Sequence, residues 1–235
     1  MVKKKKERKQ TAARKLITSV NPKSVVSEQY RTIRTNINFS LPDKELQTIL
    51  FTSSSTGEGK STTAANVAIV FAQEGKKVLL IDADMRKPTM HFTFQTSNSP
   101  GLSNVLTKQW NLEDVRRKTE FNGLDLVTCG PIPPNPAELL SSKSMDALLR
   151  EAKMAYDIII LDAPPVLLVA DSQILSNKCD GTILIVSSGK TEKGSVVKAK
   201  EVLQTSKACI IGTVLNNFKL EKNHYYSQQY IVVEQ

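Results

Sequence analysis

No stretch of this chain constrains its fold more than Ser54-Ser55-Thr56-Gly57-Glu58-Gly59-Lys60-Ser61. The apolar run Leu46 to Thr52 leads into it. An Ala-rich run, Lys60 to Gln73, leads out, with Ala64, Val67, Ala68 and Phe71 at helical spacing. Strand, glycine-containing turn and helix in direct succession is the setting in which such a turn cradles phosphate. Its glycines let the backbone curl so that several N–H groups face one anion, and the helix N-terminus adds free donors and a favourable dipole. The standard pattern has glycine where this chain has Ser54, while Gly59, Lys60 and Ser61 fit it. Lys60 is the candidate for the β- and γ-phosphates and Ser61 for Mg²⁺ through its hydroxyl. Thr56, Gly57, Glu58, Gly59 and Thr62 complete the candidate nucleotide-binding stretch. The plainer alternative is a Gly/Ser turn that merely caps a helix.

Two further apolar runs end in carboxylates. Val78-Leu79-Leu80-Ile81 runs into Asp82-Ala83-Asp84-Met85-Arg86, and Ile158-Ile159-Ile160-Leu161 runs into Asp162-Ala163-Pro164-Pro165. In an open parallel sheet, ligands sit outside the C-terminal strand ends, so all three aspartates can reach the phosphate loop. Mg²⁺ favours oxygen ligands and keeps waters, which suits these carboxylates. Asp82 is also placed to accept a proton from an attacking hydroxyl, and Asp84 to share either task. A lone strand-end aspartate usually caps or turns the chain; two such ends beside a phosphate loop reverse that reading. Asp171 is a weaker candidate, with a cap for the helix from Ser172 as its simple role. Arg86 and Lys87 either orient phosphate or an incoming segment, or pair with acids.

The rest of the chain repeats the rhythm. Further strands are expected at Lys77 to Ile81, Leu124 to Thr128, Tyr156 to Leu161, Thr182 to Val186 and Ala208 to Leu215. Helices are expected at Ser27 to Phe39, ended by Leu41-Pro42-Asp43, then at Ala137 to Met154 and Glu192 to Gln204, with short ones at Gly101 to Leu106 and Leu112 to Arg117. Pro131 to Pro136 reads as a stiff loop. Strands rich in Ile, Val and Leu without polar alternation are buried on both faces. The expected class is α/β, an open, mostly parallel sheet flanked by helices, in one domain over 24–218 with no internal repeat.

Charge is uneven. The chain has 32 Lys and Arg against 23 Asp and Glu in 235 residues. Nine of the cations and only one acid, Glu7, fall within 1–23, so that segment carries +8 of the net +9. It reads as a flexible basic arm, for an anionic membrane, nucleic acid, an acidic partner, or solubility alone. The nearly neutral body gives no reason to expect specific nucleic-acid binding. Cys129, Cys179 and Cys209 are too scattered for a disulfide framework or a metal cluster and read as small buried residues beside strands. No apolar run reaches 18 residues and no signal core follows the lysines, so the cytoplasm is the expected location. Three of the five tyrosines, Tyr225, Tyr226 and Tyr230, cluster in a polar stretch within 219–235, which suits a tail better than an edge strand.

With these motifs together, the sequence resembles the bacterial tyrosine kinases that regulate capsule and exopolysaccharide synthesis, in particular the separate kinase subunit of Gram-positive bacteria. The resemblance spans Ser24 to Tyr230. It implies a P-loop NTPase fold with a deviant Walker A motif at Ser54–Ser61, a Walker A′ motif at Ile81–Arg86 and a Walker B motif at Ile160–Pro165. The cofactors implied are ATP and Mg²⁺. Lys60 grips phosphate, Ser61 and Asp162 organise magnesium with Asp82 beside them, and Asp82 serves as base for a tyrosine hydroxyl with Asp84 close by; Arg86 is counted with Lys60, Asp82 and Asp84 among the candidate catalytic residues. Asn216 corresponds to the residue near adenine. Glu28, Arg31 and Arg34 match the Glu-x-x-Arg-x-x-Arg motif of ring-like self-association. Tyr225, Tyr226 and Tyr230 correspond to a cluster autophosphorylated in trans between neighbouring subunits.

The resemblance further implies protein-tyrosine substrates, a counteracting tyrosine phosphatase and a membrane-embedded activator that recruits the kinase to the inner face of the membrane. Without a membrane span here, that activator is expected as a separate chain. The clan also holds Min- and Par-type positioning ATPases, whose signature lysine falls where this chain has Ser55. Two other classes stay open, a positioning ATPase without protein substrate and a nucleotide-dependent scaffold without turnover.

Overall fold

The structure is a computed structural model that describes residues 16–41 and 45–218. The basic segment through residue 15, residues 42–44 and the tyrosine-containing segment 219–235 lie outside the described residues. In chain order the elements are α1 (Ile17–Val20), α2 (Val25–Phe39), β1 (Thr48–Ser53), α3 (Lys60–Gln73), β2 (Val78–Asp82), α4 (Met90–Thr93), α5 (Leu102–Leu106), α6 (Leu112–Val115) and β3 (Arg117–Lys118). There follow β4 (Leu124–Val127), α7 (Pro136–Ser141), α8 (Lys143–Ala155), β5 (Ile158–Asp162), α9 (Asp171–Lys178), β6 (Gly181–Ser187), α10 (Lys193–Thr205) and β7 (Ile210–Asn216).

The sheet has seven strands in the order β3-β4-β2-β5-β1-β6-β7. All neighbours are parallel except the short edge pair β3 and β4. Alternate residues of the central strands face opposite layers, as the period of a strand requires. Ile49, Phe51, Leu80 and Ile160 join the core under α2 and α3. Leu50, Leu79, Ile81 and Leu161 join the core under α5 and α8. Both faces are therefore buried, and the unalternating apolar runs are explained. The order of the strands positions the site: β5 lies between β1 and β2, so the chain reverses direction across the sheet at the phosphate loop, and Asp162 stands between that loop and Asp82.

The structure differs from the sequence reading in the short helix α4, which that reading lacks, and in three further places. The helix expected over Ala137 to Met154 is two helices, because Ser142 turns extended and its hydroxyl caps α8 by accepting from Met145 N–H. Arg117 ends no helix; it starts the antiparallel strand β3, which a turn through Gly123 (φ 82°) folds onto β4. Residues 16–23, expected within the flexible arm, are docked on the domain. Leu16 is buried, and Thr18 donates both its N–H (3.1 Å) and its hydroxyl (2.9 Å) to Asn66 on α3.

At the N-terminal end of the strands, Asp180 ties three elements together. Its carboxylate accepts from Thr48 N–H (2.8 Å), Thr48 Oγ1 (2.7 Å) and Lys153 Nζ (2.9 Å). Burial alone would raise its pKa; the bonds from Lys153 and Thr48 outweigh that and hold it below the ordinary aspartate range. Asp180→Ala should therefore cost about 2 kcal/mol at pH 7, the scale of charge-assisted hydrogen bonds lost together. For a depressed carboxylate the contribution is present above the unfolded pKa of about 4 and is lost as pH falls through the folded value. Urea unfolding of both proteins should show their difference shrinking below pH 4; a pH-independent difference would rule this account out.

Candidate active site

The C-terminal ends of β1, β5 and β2 form the site. The loop after β1 turns on Gly57 (φ 75°) and Gly59 (φ 95°), conformations a side chain resists. A Cβ on Gly59 would lie 1.9 Å from the Asn216 amide. No side chain caps the N-terminus of α3, so its first N–H groups stay available to an anion. Ala64, Ala65 and Ala68 let α3 lie close on the sheet that aims it.

Lys60 reaches across this edge. Its Nζ lies 2.9 Å from Asp84 Oδ2, 3.3 Å from Asp162 Oδ1 and 3.2 Å from Ser61 Oγ. Burial by itself would lower its pKa; Asp162, Asp84 and Asp82 outweigh that and raise it. Asp82 is fully buried. Its Oδ2 accepts from Thr89 and Met90 N–H, each at 2.9 Å, and its Oδ1 from Asp84 N–H at 3.3 Å. Burial first, and the charge of Asp162 second, push its pKa up to about 7, against the pull of those N–H groups and Lys60. A carboxyl that titrates near neutrality, beside a cation and a second carboxylate, can both hold and release a proton.

A cleft of about 440 Å³ opens here, lined by Lys60, Thr62, Asp84, Arg86, Thr89 and Pro165 among others. Thr52 Oγ1 fixes one wall by donating to Pro164 O at 2.8 Å. A cavity of similar volume, about 460 Å³, lies at the opposite end of the strands around Lys77, Arg116 and Tyr156. None of the motif residues line it, and Arg116 is already paired with Glu113 and Asp125. Chemistry therefore belongs to the first cleft.

The oxygen donors suit Mg²⁺ with a nucleotide. Asp162 and Asp82 at adjoining strand ends and Ser61 at the uncapped start of α3 offer hard oxygen donors. Among the described residues no three His, Cys, Asp or Glu side chains form a cage for an ion by themselves.

Several candidate residues occupy positions the sequence left open. Arg86 donates Nε and Nη2, both at 2.9 Å, to the buried carboxylate of Asp171. Of the two readings for Arg86, the structure has the ion pair, and Asp171 is its anchor rather than a helix cap. The Glu58 side chain turns away from the cleft, accepting from Ser54 Oγ (2.8 Å) and Ser55 N–H (3.1 Å). Asn216 braces the loop from outside, donating Nδ2 to Glu58 O at 3.0 Å, and lines a separate groove with Tyr30 and Phe218. Glu28 and Arg31 pair with each other on α2. Arg34 turns inward, donating to Val70 O at 3.0 Å near the end of α3 and lying 3.4 Å from Glu74. Cys129 and Cys179 are buried as expected, with burial pushing the Cys179 thiol up to about 12; Cys209 is only partly so. No described helix is long and apolar enough to cross a membrane. Sequence reasoning missed Lys190 and the Thr89 and Met90 amides on Asp82, since neither carries a motif.

A strand-loop-helix phosphate cradle with a lysine and acidic strand ends on a mostly parallel sheet defines a P-loop nucleotide-binding domain. A family model described as an AAA domain matches residues 46–192. The tyrosine-protein kinase YwqD of Bacillus subtilis is 54% identical over 94% of this chain and 93% of its own length. The kinase domain of the Escherichia coli tyrosine kinase ETK superposes with a TM-score of 0.86 at 31% identity, over 95% of this chain and 88% of that one. The septum site-determining protein MinD of Pyrococcus horikoshii, complexed with Mg-ADP, shares the fold alone (TM-score 0.64, 22% identity, 75% and 72% covered). The chain belongs to the bacterial tyrosine-protein kinase family, and its P-loop fold is one that binds a nucleotide with a metal.

Proposed function

We propose that this chain transfers the γ-phosphoryl group of ATP to tyrosine hydroxyls, first on its own cluster at Tyr225, Tyr226 and Tyr230 in trans, and then on other proteins. The observation that carries the reading is the placement of a buried Asp82, with a pKa of about 7, on the same strand-end edge as Lys60 and Asp162. When bound, Mg-ATP supplies the phosphoryl group and compensation for its charge. The loop amides and Lys60 bind and orient the phosphates. Ser61, Asp162 and Asp82 are the metal-holding set. Asp82 Oδ1, whose hydrogen bond from Asp84 N–H is long, takes the proton of the tyrosine hydroxyl as its oxygen bonds to phosphorus and the bond to the ADP oxygen breaks. Asp84 holds Lys60 in place, and Arg86 braces the cleft wall through Asp171. Asn216 is assigned to the adenine side.

The same family reading gives the remaining parts. Glu28, Arg31 and Arg34 lie in a self-association surface that builds a ring, a membrane-embedded activator brings the kinase to the inner face of the membrane, and a tyrosine phosphatase resets it. The activity serves capsule or exopolysaccharide synthesis. Each phosphate brings nearly two negative charges, and several on one tail repel it from an acidic mouth and loosen the ring.

Mass spectrometry after incubation with Mg-ATP and the activator's cytoplasmic segment tests this. Phosphate is expected on the tail tyrosines of the wild type and on none in a triple Tyr→Phe protein, whose ring should persist when ATP is added. Hydrolysis of ATP without any phosphotyrosine would instead support a positioning ATPase, and nucleotide binding without turnover a scaffold.

A further inference from the structure

The phosphate loop is gripped from outside by the turn after β6. Gly189 is left-handed (φ 71°), and the N–H groups of Lys190 (3.2 Å) and Thr191 (2.9 Å) both close on Ser187 O. The closed turn lays the Lys190 side chain over the loop. Its Nζ donates to Thr56 O at 3.1 Å and Gly57 O at 3.0 Å, and a Cβ on Gly57 would stand 2.7 Å from it. Beside it, the Thr191 hydroxyl accepts from Ser187 N–H (2.9 Å) and donates to Glu58 Oε1 (2.6 Å). Glu58 is 1% exposed and holds Ser54 and Ser55 through the same carboxylate.

These bonds join no strands of the sheet. The side-chain bonds of Lys190, Thr191 and Glu58 converge on the turn between β1 and α3. Hydrogen bonds polarise the groups they join. The Thr56 carbonyl is conjugated with the Gly57 N–H, and the Gly57 carbonyl with the Glu58 N–H. A cation shared by those two carbonyls makes both N–H groups stronger donors. We propose that Lys190 is a positioning residue that raises the loop's affinity for nucleotide phosphates through these two amides, while Glu58 and Thr191 hold the loop in the shape Lys190 needs. The inference rests on the nucleotide-binding reading of the loop. It gives this chain a second cation on the loop besides Lys60, supplied by the turn after β6.

Lys190→Met and Lys190→Arg test it in the full chain. Dissociation constants for fluorescent Mg-ATP and Mg-ADP, melting temperature, and KM and kcat for tail phosphorylation are measured together. Lys190 is exposed, so the expected loss is moderate: about fivefold weaker binding of both nucleotides in the Met protein, below the tenfold that 1.4 kcal/mol represents. KM should rise by the same factor, with kcat within about twofold and the melting temperature unchanged. The Gly57 and Glu58 amide protons should move upfield in the nucleotide-free Met protein, and Arg should restore binding. Normal nucleotide binding by the Met protein, or a loss that Arg leaves uncorrected, overturns the proposal. A wild type that binds neither nucleotide overturns the reading of the loop itself, and this inference with it.

Discussion

A Lys60→Met protein is expected to phosphorylate tyrosine about a thousandfold more slowly than the wild type and to lose stability more steeply between pH 6 and pH 8. The two effects have one source. Lys60 is the cation in contact with Asp84 and Asp162, and its charge also acts on Asp82. A thousandfold corresponds to about 4 kcal/mol of transition-state stabilisation, the upper range for one preorganised charge in a dry site. Removing one partner of a buried ion pair strands the other, at about 3–5 kcal/mol. Without the Lys60 charge, which pulls against the burial of Asp82, that carboxyl holds its proton more tightly and its folded pKa rises further. A group whose folded pKa is raised contributes fully below its unfolded value, about 4 for aspartate, and loses that contribution as pH rises through the folded value. The wild type already carries such a slope near pH 7 through Asp82. Thermal melts from pH 5 to 8.5 should show a steeper slope in the Met protein. Parallel curves would mean that the ammonium does not hold the acidic cluster together.

Much of this arrangement is legible in the amino-acid order, and the reason is local. Ile158 to Leu161 and Val78 to Ile81 are uninterrupted apolar runs, so a buried parallel strand is nearly their only use, and the aspartate closing each must then sit at a strand end. The phosphate loop is legible because its glycines, lysine and hydroxyl act through the backbone between two adjoining elements. What escapes is what depends on distant chain segments. That β5 inserts between β1 and β2, bringing Asp162 into register with Asp82, is a property of the topology. Asp171 stands 85 positions from Arg86 and Lys190 more than 130 from the loop it holds, so neither pairing leaves a spacing signal. Ser142 escapes for the opposite reason. A helix run through it fits the apolar period, and only its cap reveals the break.

The acids of the site are in tension with the fold. Lys60 offsets part of the repulsion between Asp82 and Asp162; burial first, and the remaining repulsion second, raise the pKa of Asp82. In the same shell Asp171, fully buried, is neutralised by the bidentate Arg86 pair, so charge is balanced where no chemistry is needed. The imbalance lies at the buried strand ends behind the cleft that Lys60 and Asp84 line. Local strain at a catalytic edge beside a conventionally packed core is the pattern expected when function rather than stability selects those residues.

An Asp82→Asn substitution separates the two roles of this carboxyl. The amide oxygen can still accept from the Thr89 and Met90 N–H groups, so the turn into α4 should survive. The amide cannot take a proton from a tyrosine hydroxyl, and transfer should fall by about 10²- to 10⁴-fold, the range for a lost general base. Binding of Mg-nucleotide should weaken but persist, because one carboxylate of the metal-holding set is neutralised while Lys60, Ser61 and Asp162 are untouched. Stability should move the other way. With a folded pKa of about 7 against about 4 unfolded, ionised Asp82 costs the wild type on the order of a few kcal/mol above pH 7. The neutral amide removes that cost, so the variant should be the more stable protein at pH 8 and show little advantage at pH 5. A bound Mg-nucleotide compensates Asp82 in the wild type and should narrow the gap at pH 8. Melting curves at pH 5 and 8, with and without Mg-ADP, decide the matter. A variant that is slow, but no more stable at pH 8 than at pH 5 relative to wild type, would place Asp82 outside the buried acid cluster and leave its role as proton acceptor without its physical basis.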